Sequence, residues 1–271
     1  MIITVPIHPD DKKYTINKAY VDYVKTAGYI PLLVAPENTP DMAVSMSGGL
    51  LLPGGIDIDP IYYGENNYAS FWCDPEKDEF ERQLMYAFMK AGKPIFGICR
   101  GFQLIAREYV LHHAGQTVTA NGKTTIDDRV VFEQHIESHS QIDRFNIFRR
   151  MPSHYVMMRE DKLYESGEKK PTYNAVNSMH HQYLRVVRTE DQLKGKHKIT
   201  PHMWATAWTS RGLDEDDRED SVVCEGFFIK GWSKSSIAAV QWHPEEMMDI
   251  QLLHKHFGKV EAAEEVKTEH A

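Results

Sequence analysis

The sequence predicts an α/β fold in which helices pack on a mostly parallel sheet. Three observations predict it. Over the first 110 residues, short β-rich apolar runs alternate with amphipathic helical patterns, as repeated βαβ units do. The run at 94–98 is too short and too apolar for anything but a buried strand. The chain has 271 residues, enough for one large or two small domains, either with a sufficient core.

Residues 2–7 read as a first strand. Ile16, Ala19, Tyr20, Tyr23, Val24 and Ala27 then recur at helical spacing until Gly28 supplies a stop. A second strand at 30–35 follows directly. A third, 49–52, runs into Pro53-Gly54-Gly55, where missing side chains let backbone amides face a ligand or bend sharply. Asp74-Pro75 resembles an N-cap followed by proline at the first helical position. Phe80, Leu84, Ala87, Phe88 and Ala91 mark the apolar face of that helix, and Gly92 ends it. Strand 94–98 delivers the chain to Cys99 and to a second helix beginning near Gly101. Residues 121–170 are polar, rich in His and Arg, and offer only short ambiguous elements. Strands return at 205–208, 222–229 and 237–242, with an acidic, solvated loop at 214–220. One domain is expected over 1–258. The acidic tail, 259–271, has little to bury and is expected to fray.

Composition narrows the function classes. With 31 Lys plus Arg against 39 Asp plus Glu the net charge is −8, which argues against a protein that coats nucleic acid or a membrane surface. The three cysteines, Cys73, Cys99 and Cys224, form no CxxC pair, so neither a disulfide framework nor a cysteine-built zinc site is expected. The start, MIITVPIHPD, lacks the basic and apolar regions of an export signal, and no apolar run nears the roughly 18 residues of a membrane span. A reducing, cytoplasmic setting is the expectation.

Gly97-Ile98-Cys99-Arg100-Gly101 has the spacing of a nucleophile elbow, a tight strand-to-helix turn flanked by glycines because a β-carbon would clash with neighbouring backbone. Free amides at a helix N-terminus, and a nearby cationic histidine, favour thiolate over thiol. The bland alternative is a small apolar core cysteine; strand, glycines and helix together favour catalysis. A proton carrier is offered by Gln241-Trp242-His243-Pro244-Glu245. On an extended segment residues i and i+2 point the same way, so Glu245 can accept the ring proton of His243 and turn its other nitrogen toward Cys99. A developing oxyanion needs two amide donors, worth roughly 3 to 4 kcal/mol each; the backbone N–H groups of Arg100 and Gly55 are the candidates.

Five blocks carry a family likeness: GICRGFQ at 97–103, QWHPE at 241–245, LLLPGGIDIDPIYYGE at 50–65, DPEKDEFE at 74–81 and VNSMHHQ at 176–182. In these the chain resembles the class I glutamine amidotransferase-like cysteine hydrolases, and within them the γ-glutamyl-γ-aminobutyrate hydrolase or γ-glutamyl hydrolase branch. The resemblance implies a three-layer α/β/α, flavodoxin-like domain, with Cys99 as nucleophile, His243 as general acid and base, Glu245 orienting it, and a γ-glutamyl thioester intermediate. It further implies Gln103, His180 and His181 as substrate-site residues, a small γ-glutamyl substrate, and no metal or organic cofactor. A homodimer is compatible with it. The chain departs from the family pattern at 106–117, before VNSMHHQ, and in the loop at 214–220.

Two other functions fit the blocks: a glutaminase handing ammonia to a separate synthetase partner, and a catalytically silent relative that binds a ligand or protein. The intact Cys99, His243 and Glu245 argue against silence. His135 and His139 have helical metal-ligand spacing without the glutamate of HExxH and read as a surface pair, as do His112-His113 and His254 with His256. Asp57 and Asp59 read as turn and capping residues. Trp204, Trp208 and Trp232 read as core or lid aromatics.

Overall fold

A computed structural model describes residues 1–10, 12–63, 66–70, 72–113, 125–126, 130–134, 151–158, 172–180, 182–187, 203–209 and 221–259. His135, His139 and His181, the acidic loop at 214–220 and the tail from 260 onward lie outside the described residues.

Five parallel strands form the centre of the sheet: β1 (Ile2–Pro6), β4 (Ile30–Val34), β5 (Gly49–Leu52), β6 (Ile95–Ile98) and β14 (Ile237–Val240), in the order β4-β1-β5-β6-β14. β5, β6 and β14 are buried along their whole length, which is why they read as unbroken apolar runs. Beyond β14 the sheet continues antiparallel through β13 (Ser221–Ile229), β12 (Met203–Thr209), β9 (His154–Met158) and β10 (Thr172–Val176). β11 (Tyr183–Val187) also pairs with β13, and carries β8 (Val130–Glu133) and then β7 (Thr125–Ile126). A separate hairpin, β2 (His8–Asp10) with β3 (Lys13–Thr15), rises just past the end of β1. Its strands have too few apolar residues to give a strand signal.

Helices cover both faces. On one face α2 (Pro40–Met46), α3 (Pro75–Ala91) and α4 (Arg100–His113) close a core that includes Leu50, Leu52, Phe80, Leu84, Phe88, Phe102 and Ile105. On the other, α1 (Lys18–Thr26) and α6 (Gln251–Phe257) cover Ile3, Val5, Leu51, Phe96 and Ile98. A short helix, α5 (Pro244–Met247), lies between β14 and α6. The result is three layers, flavodoxin-like, with a mostly parallel central sheet.

Local chemistry explains the helix ends. Asp74 accepts from the amides of Glu76 and Lys77 at 3.1 Å each, Pro75 takes the first helical position, and Gly92 closes α3 in the left-handed region at φ 70°. The buried face of α3 is broader than its apolar pattern indicates. Met85 and Met89 join the core, Ala91 is exposed, and the charged Lys77, Asp78 and Glu81 are buried.

In a parallel sheet all C-terminal strand ends share one edge. The loops after β5 (Pro53-Gly54-Gly55), β6 (Cys99) and β14 (Gln241-Trp242-His243) therefore meet there, joined by the Cys99 amide donating to the Val240 carbonyl at 2.9 Å.

Candidate active site

The elbow is as tight as its glycines require. Cys99 has φ 50°, in the left-handed region that side-chain-bearing residues avoid. A Cβ on Gly97 would come 2.7 Å from the Gly101 backbone, and one on Gly101 would overlap the Leu52 carbonyl. Both positions exclude a side chain because α4 starts directly against β5 and β6.

Cys99, His243 and Gly54 share one point. A Cβ built on Gly54 would lie 3.0 Å from His243 Cε1 and 3.3 Å from Cys99 Cβ, and would strike the Tyr20 hydroxyl. Gly54→Ala is therefore expected to push the imidazole and thiol apart and to lower turnover at least 100-fold without unfolding the protein. Steady-state kinetics beside a thermal melt would check both halves.

Cys99 and His243 are both buried, at 4 % exposure. His243 Nδ1 lies 2.6 Å from Glu245 Oε1. Since a carboxylate only accepts, Nδ1 carries a hydrogen, and Nε2 is left with no hydrogen-bond partner among the described residues. Burial opposes charge on this imidazole, but the Glu245 carboxylate and Cys99 outweigh it, and the His243 pKa is raised to about 10 from its ordinary 6.5. A raised folded-state value stabilises the fold fully below pH 6.5, and that contribution is lost as pH climbs toward 10. His243→Asn is expected to flatten this alkaline decline, measured as urea midpoints at pH 6.5 and 9.5.

The His243 backbone is held by a side-chain amide. Asn177 Oδ1 accepts from the His243 amide at 3.0 Å, and Asn177 Nδ2 donates to its carbonyl at 3.1 Å. Gln182 makes the same two-way clamp on Ile58, accepting from its amide at 3.0 Å and donating to its carbonyl at 2.7 Å. Neither role was visible in the sequence. The second and last residues of the VNSMHHQ block were the only signal, since a side-chain amide carries a separate donor and acceptor that match the two halves of a peptide unit.

Of the substrate-site candidates, Gln103 and His180 are buried, while His181 lies outside the described residues. Gln103 donates through Nε2 to the Gln182 carbonyl at 3.0 Å, and His180 Nδ1 lies 3.0 Å from the same oxygen. His180 Nε2 is 3.6 Å, and His154 Nε2 3.3 Å, from Glu225 Oε1. These contacts tie α4, β13 and the VNSMHHQ segment together. Asp59 takes the turn role read from the sequence, its Oδ1 capping the Ile61 amide at 3.0 Å.

Beneath the elbow lies a quartet of charges. The Arg100 guanidinium, 1 % exposed, bonds to Asp78 and Glu81, and Lys77 Nζ is 2.8 Å from Glu81 Oε1. Burial opposes the Glu81 charge, but Arg100 and Lys77 outweigh it and hold that carboxyl below its ordinary value. At Asp78 burial wins over Arg100 and the value rises. Arg100 Cδ and Lys77 Cε would each lie 3.5 Å from a Cβ on Gly55, so this quartet also backs the Gly55 loop.

Parallel central strands with helices on both faces, and a cysteine at an elbow beside a histidine, are the arrangement that the sequence resemblance implies for a glutamine amidotransferase-like hydrolase. The family comparison agrees: residues 5–245 match Peptidase C26, and the chain belongs to that family. It is 28 % identical over 233 residues to Protein NtpR of Enterococcus hirae, covering 84 % of this chain and 80 % of that one. It is 24 % identical over 265 residues, covering 87 % of this chain and 84 % of the relative, to a glutamine amidotransferase-like protein of Rickettsia prowazekii. The γ-glutamyl-γ-aminobutyrate hydrolase PuuD of Escherichia coli K12 is 25 % identical over 237 residues, covering 85 % and 78 % of the two chains. In solved structures a Thermoplasma acidophilum protein described as a GMP synthase component superposes with TM-score 0.51 at 15 % identity, covering 96 % of this chain and 98 % of that one, a likeness of fold alone. No helix among the described residues is long and apolar enough to cross a membrane.

Proposed function

We propose that this chain is a cysteine hydrolase that cleaves the γ-glutamyl amide bond of a small γ-glutamyl amine, releasing glutamate and the amine. The observation that carries the reading is the meeting of Cys99 and His243 against Gly54, with Glu245 2.6 Å from the far ring nitrogen. Family membership and the γ-glutamyl-γ-aminobutyrate hydrolase relative support the substrate class.

In this mechanism the Cys99 thiolate attacks the γ-carbonyl carbon. The oxyanion forms against the backbone amides of Arg100 and Gly55. The first is free because opening amides of a helix have no intrahelical acceptor. Gly54 is not the second donor, since its N–H is already given to the Tyr20 hydroxyl at 2.9 Å. The imidazolium of His243 donates its Nε2 proton to the departing amine as the C–N bond breaks, leaving a γ-glutamyl thioester. Neutral His243 then takes a proton from water, whose oxygen attacks the thioester and expels the thiolate with glutamate. Glu245 keeps Nδ1 protonated throughout. Gln103, His180 and His181 belong to the glutamyl side of the pocket in this reading, and residues 1–258 act as one cytoplasmic domain without a cofactor.

Glutamate release from L-glutamine and from a panel of γ-glutamyl amines, with Cys99→Ala as the blank, tests it. Turnover of the amines in preference to glutamine is the expected result. Turnover of glutamine alone would instead make the chain a glutaminase serving a separate synthetase partner, and no turnover of either would leave a silent binding relative.

A further inference from the structure

The mechanism uses the backbone amide of Gly55 and leaves unexplained a cation buried beside it. Lys77 enters from the first turn of α3 and is 2 % exposed, although lysines ordinarily keep their ammonium in water. An ammonium has three donors and no acceptor. One N–H goes to Glu81 Oε1 at 2.8 Å. Another reaches His8 Nδ1 at 3.5 Å, so that nitrogen accepts, and His8 Nε2 carries the ring proton to Thr15 Oγ1 at 3.2 Å. The β2–β3 hairpin therefore grips the ammonium from one side and α3 from the other. Burial holds the Lys77 pKa below its ordinary value against the pull of Glu81. Glu81, which Arg100 and Lys77 hold ionised, keeps the ammonium charged in turn.

This pair has a direction. Lys77 Cε and Nζ stand 3.5 and 3.9 Å from where a Cβ on Gly55 would lie, beside Arg100 Cδ at 3.5 Å. Those are the three nearest atoms, so no carboxylate oxygen comes closer, and seen from Gly55 the Lys77–Glu81 pair presents its ammonium first. The same helix holds the loop at a second point, where Asp78 Oδ2 accepts the Asp59 amide at 3.2 Å. A neutral ion pair is still a dipole. Aimed cation-first at an amide donor, it strengthens the positive potential that a developing oxyanion meets there.

We propose that Lys77 is a positioning residue of the oxyanion site: its stem packs the Gly55 loop in place and its ammonium supplies positive potential behind the Gly55 amide, with Glu81 and His8 holding that ammonium. This rests on the reading of Cys99 and Gly55 given above. Lys77 acts through Gly55 and matters only as negative charge builds on the carbonyl oxygen, so its loss belongs in kcat and not in KM. A lysine that merely offset Glu81 would become dispensable once Glu81 lost its own charge.

The experiment compares wild type with the double variant Lys77→Met, Glu81→Gln, which removes both members of the pair and so strands no buried charge. Both proteins are given γ-glutamyl amines and L-glutamine. Both are also treated with iodoacetamide, whose displacement by the Cys99 sulfur forms no oxyanion, and the modified cysteine is identified by peptide mass mapping. In the double variant kcat should fall about 10- to 100-fold with KM and the Cys99 alkylation rate each within about threefold of wild type. Wild-type kcat in the double variant overturns the proposal, because Lys77 would then only balance Glu81. Alkylation that falls in step with turnover also overturns it, because the whole elbow would have shifted. Should the double variant fail to fold, Lys77→Gln removes the charge while keeping a donor, and the same losses are expected; an unchanged kcat overturns the proposal. Wild type that turns over no substrate overturns the function proposed above and this inference with it, whereas turnover by wild type that the variant keeps overturns this inference alone.

Discussion

Cys99→Ala and Cys99→Gly are both expected to lose turnover by about four orders of magnitude or more, and the Gly variant is expected to be the more stable of the two by about 1 kcal/mol. The loss follows from the chemistry. In the proposed mechanism neither replacement can form the thioester, and residues that act as one unit in covalent catalysis fail together when the nucleophile goes. The order of stability follows from the backbone. Alanine normally outranks glycine in and around helices by about 0.5–1 kcal/mol because glycine loses more freedom on folding. At φ 50° that order should reverse, since a β-carbon in the left-handed region costs about 1–2 kcal/mol and glycine pays nothing there. Urea midpoints of the two variants decide it. Alanine proving more stable would mean the elbow relaxes once the sulfur is gone, and that the strain is not built into the packing of β6 and α4.

Arg100→Met is expected to destabilise the protein by about 3–5 kcal/mol, the cost of leaving buried carboxylates without their cation. Asp78 and Glu81 are each about 1 % exposed or less, and both bond to the guanidinium. With Arg100 gone, Lys77 remains beside Glu81 and no cation bonds Asp78 among the contacts described. The sign with pH follows. The stranded carboxyls would take up protons more readily than in the unfolded chain, and protonation removes the penalty. The gap between variant and wild type should therefore shrink as pH falls from 7 to 5 and widen as it rises. Arg100→Lys should recover only part of the loss, because a point charge cannot reach two carboxylates as the planar fork does. Chemical denaturation at the two pH values measures all three claims, and a gap that does not change with pH would show that the lost packing of the long side chain matters more than its charge.

Much of this could be read in advance from particular residues. Leu50-Leu51-Leu52 and Ile95-Phe96-Gly97-Ile98 could only be buried strands, and Asp74, Pro75 and Gly92 fixed both ends of α3 through local bonds that need no distant partner. The elbow was legible because its strain must be met where it arises, by Gly97 and Gly101 on either side. Glu245 was legible because its partner is two residues away.

The parts that escaped prediction are pairings between distant segments. Tyr20 reads as an apolar helix residue until the fold sets its hydroxyl against Gly54. Asn177 could not be assigned to His243, 66 positions away, nor Arg100 to Asp78 and Glu81, because a buried polar group is specified by whatever the fold places opposite it. The helical alternation of α3 hid its charged residues in the same way, since Lys77, Asp78 and Glu81 look like a solvated face until α4 covers them. The sequence by itself determined the buried strands β5 and β6, both ends of α3 and the glycine-flanked strain at Cys99, all set by backbone sterics and near neighbours. Tertiary structure alone decided which buried donor meets which acceptor, because a hydrogen bond between remote segments depends on a juxtaposition that no short stretch of chain encodes.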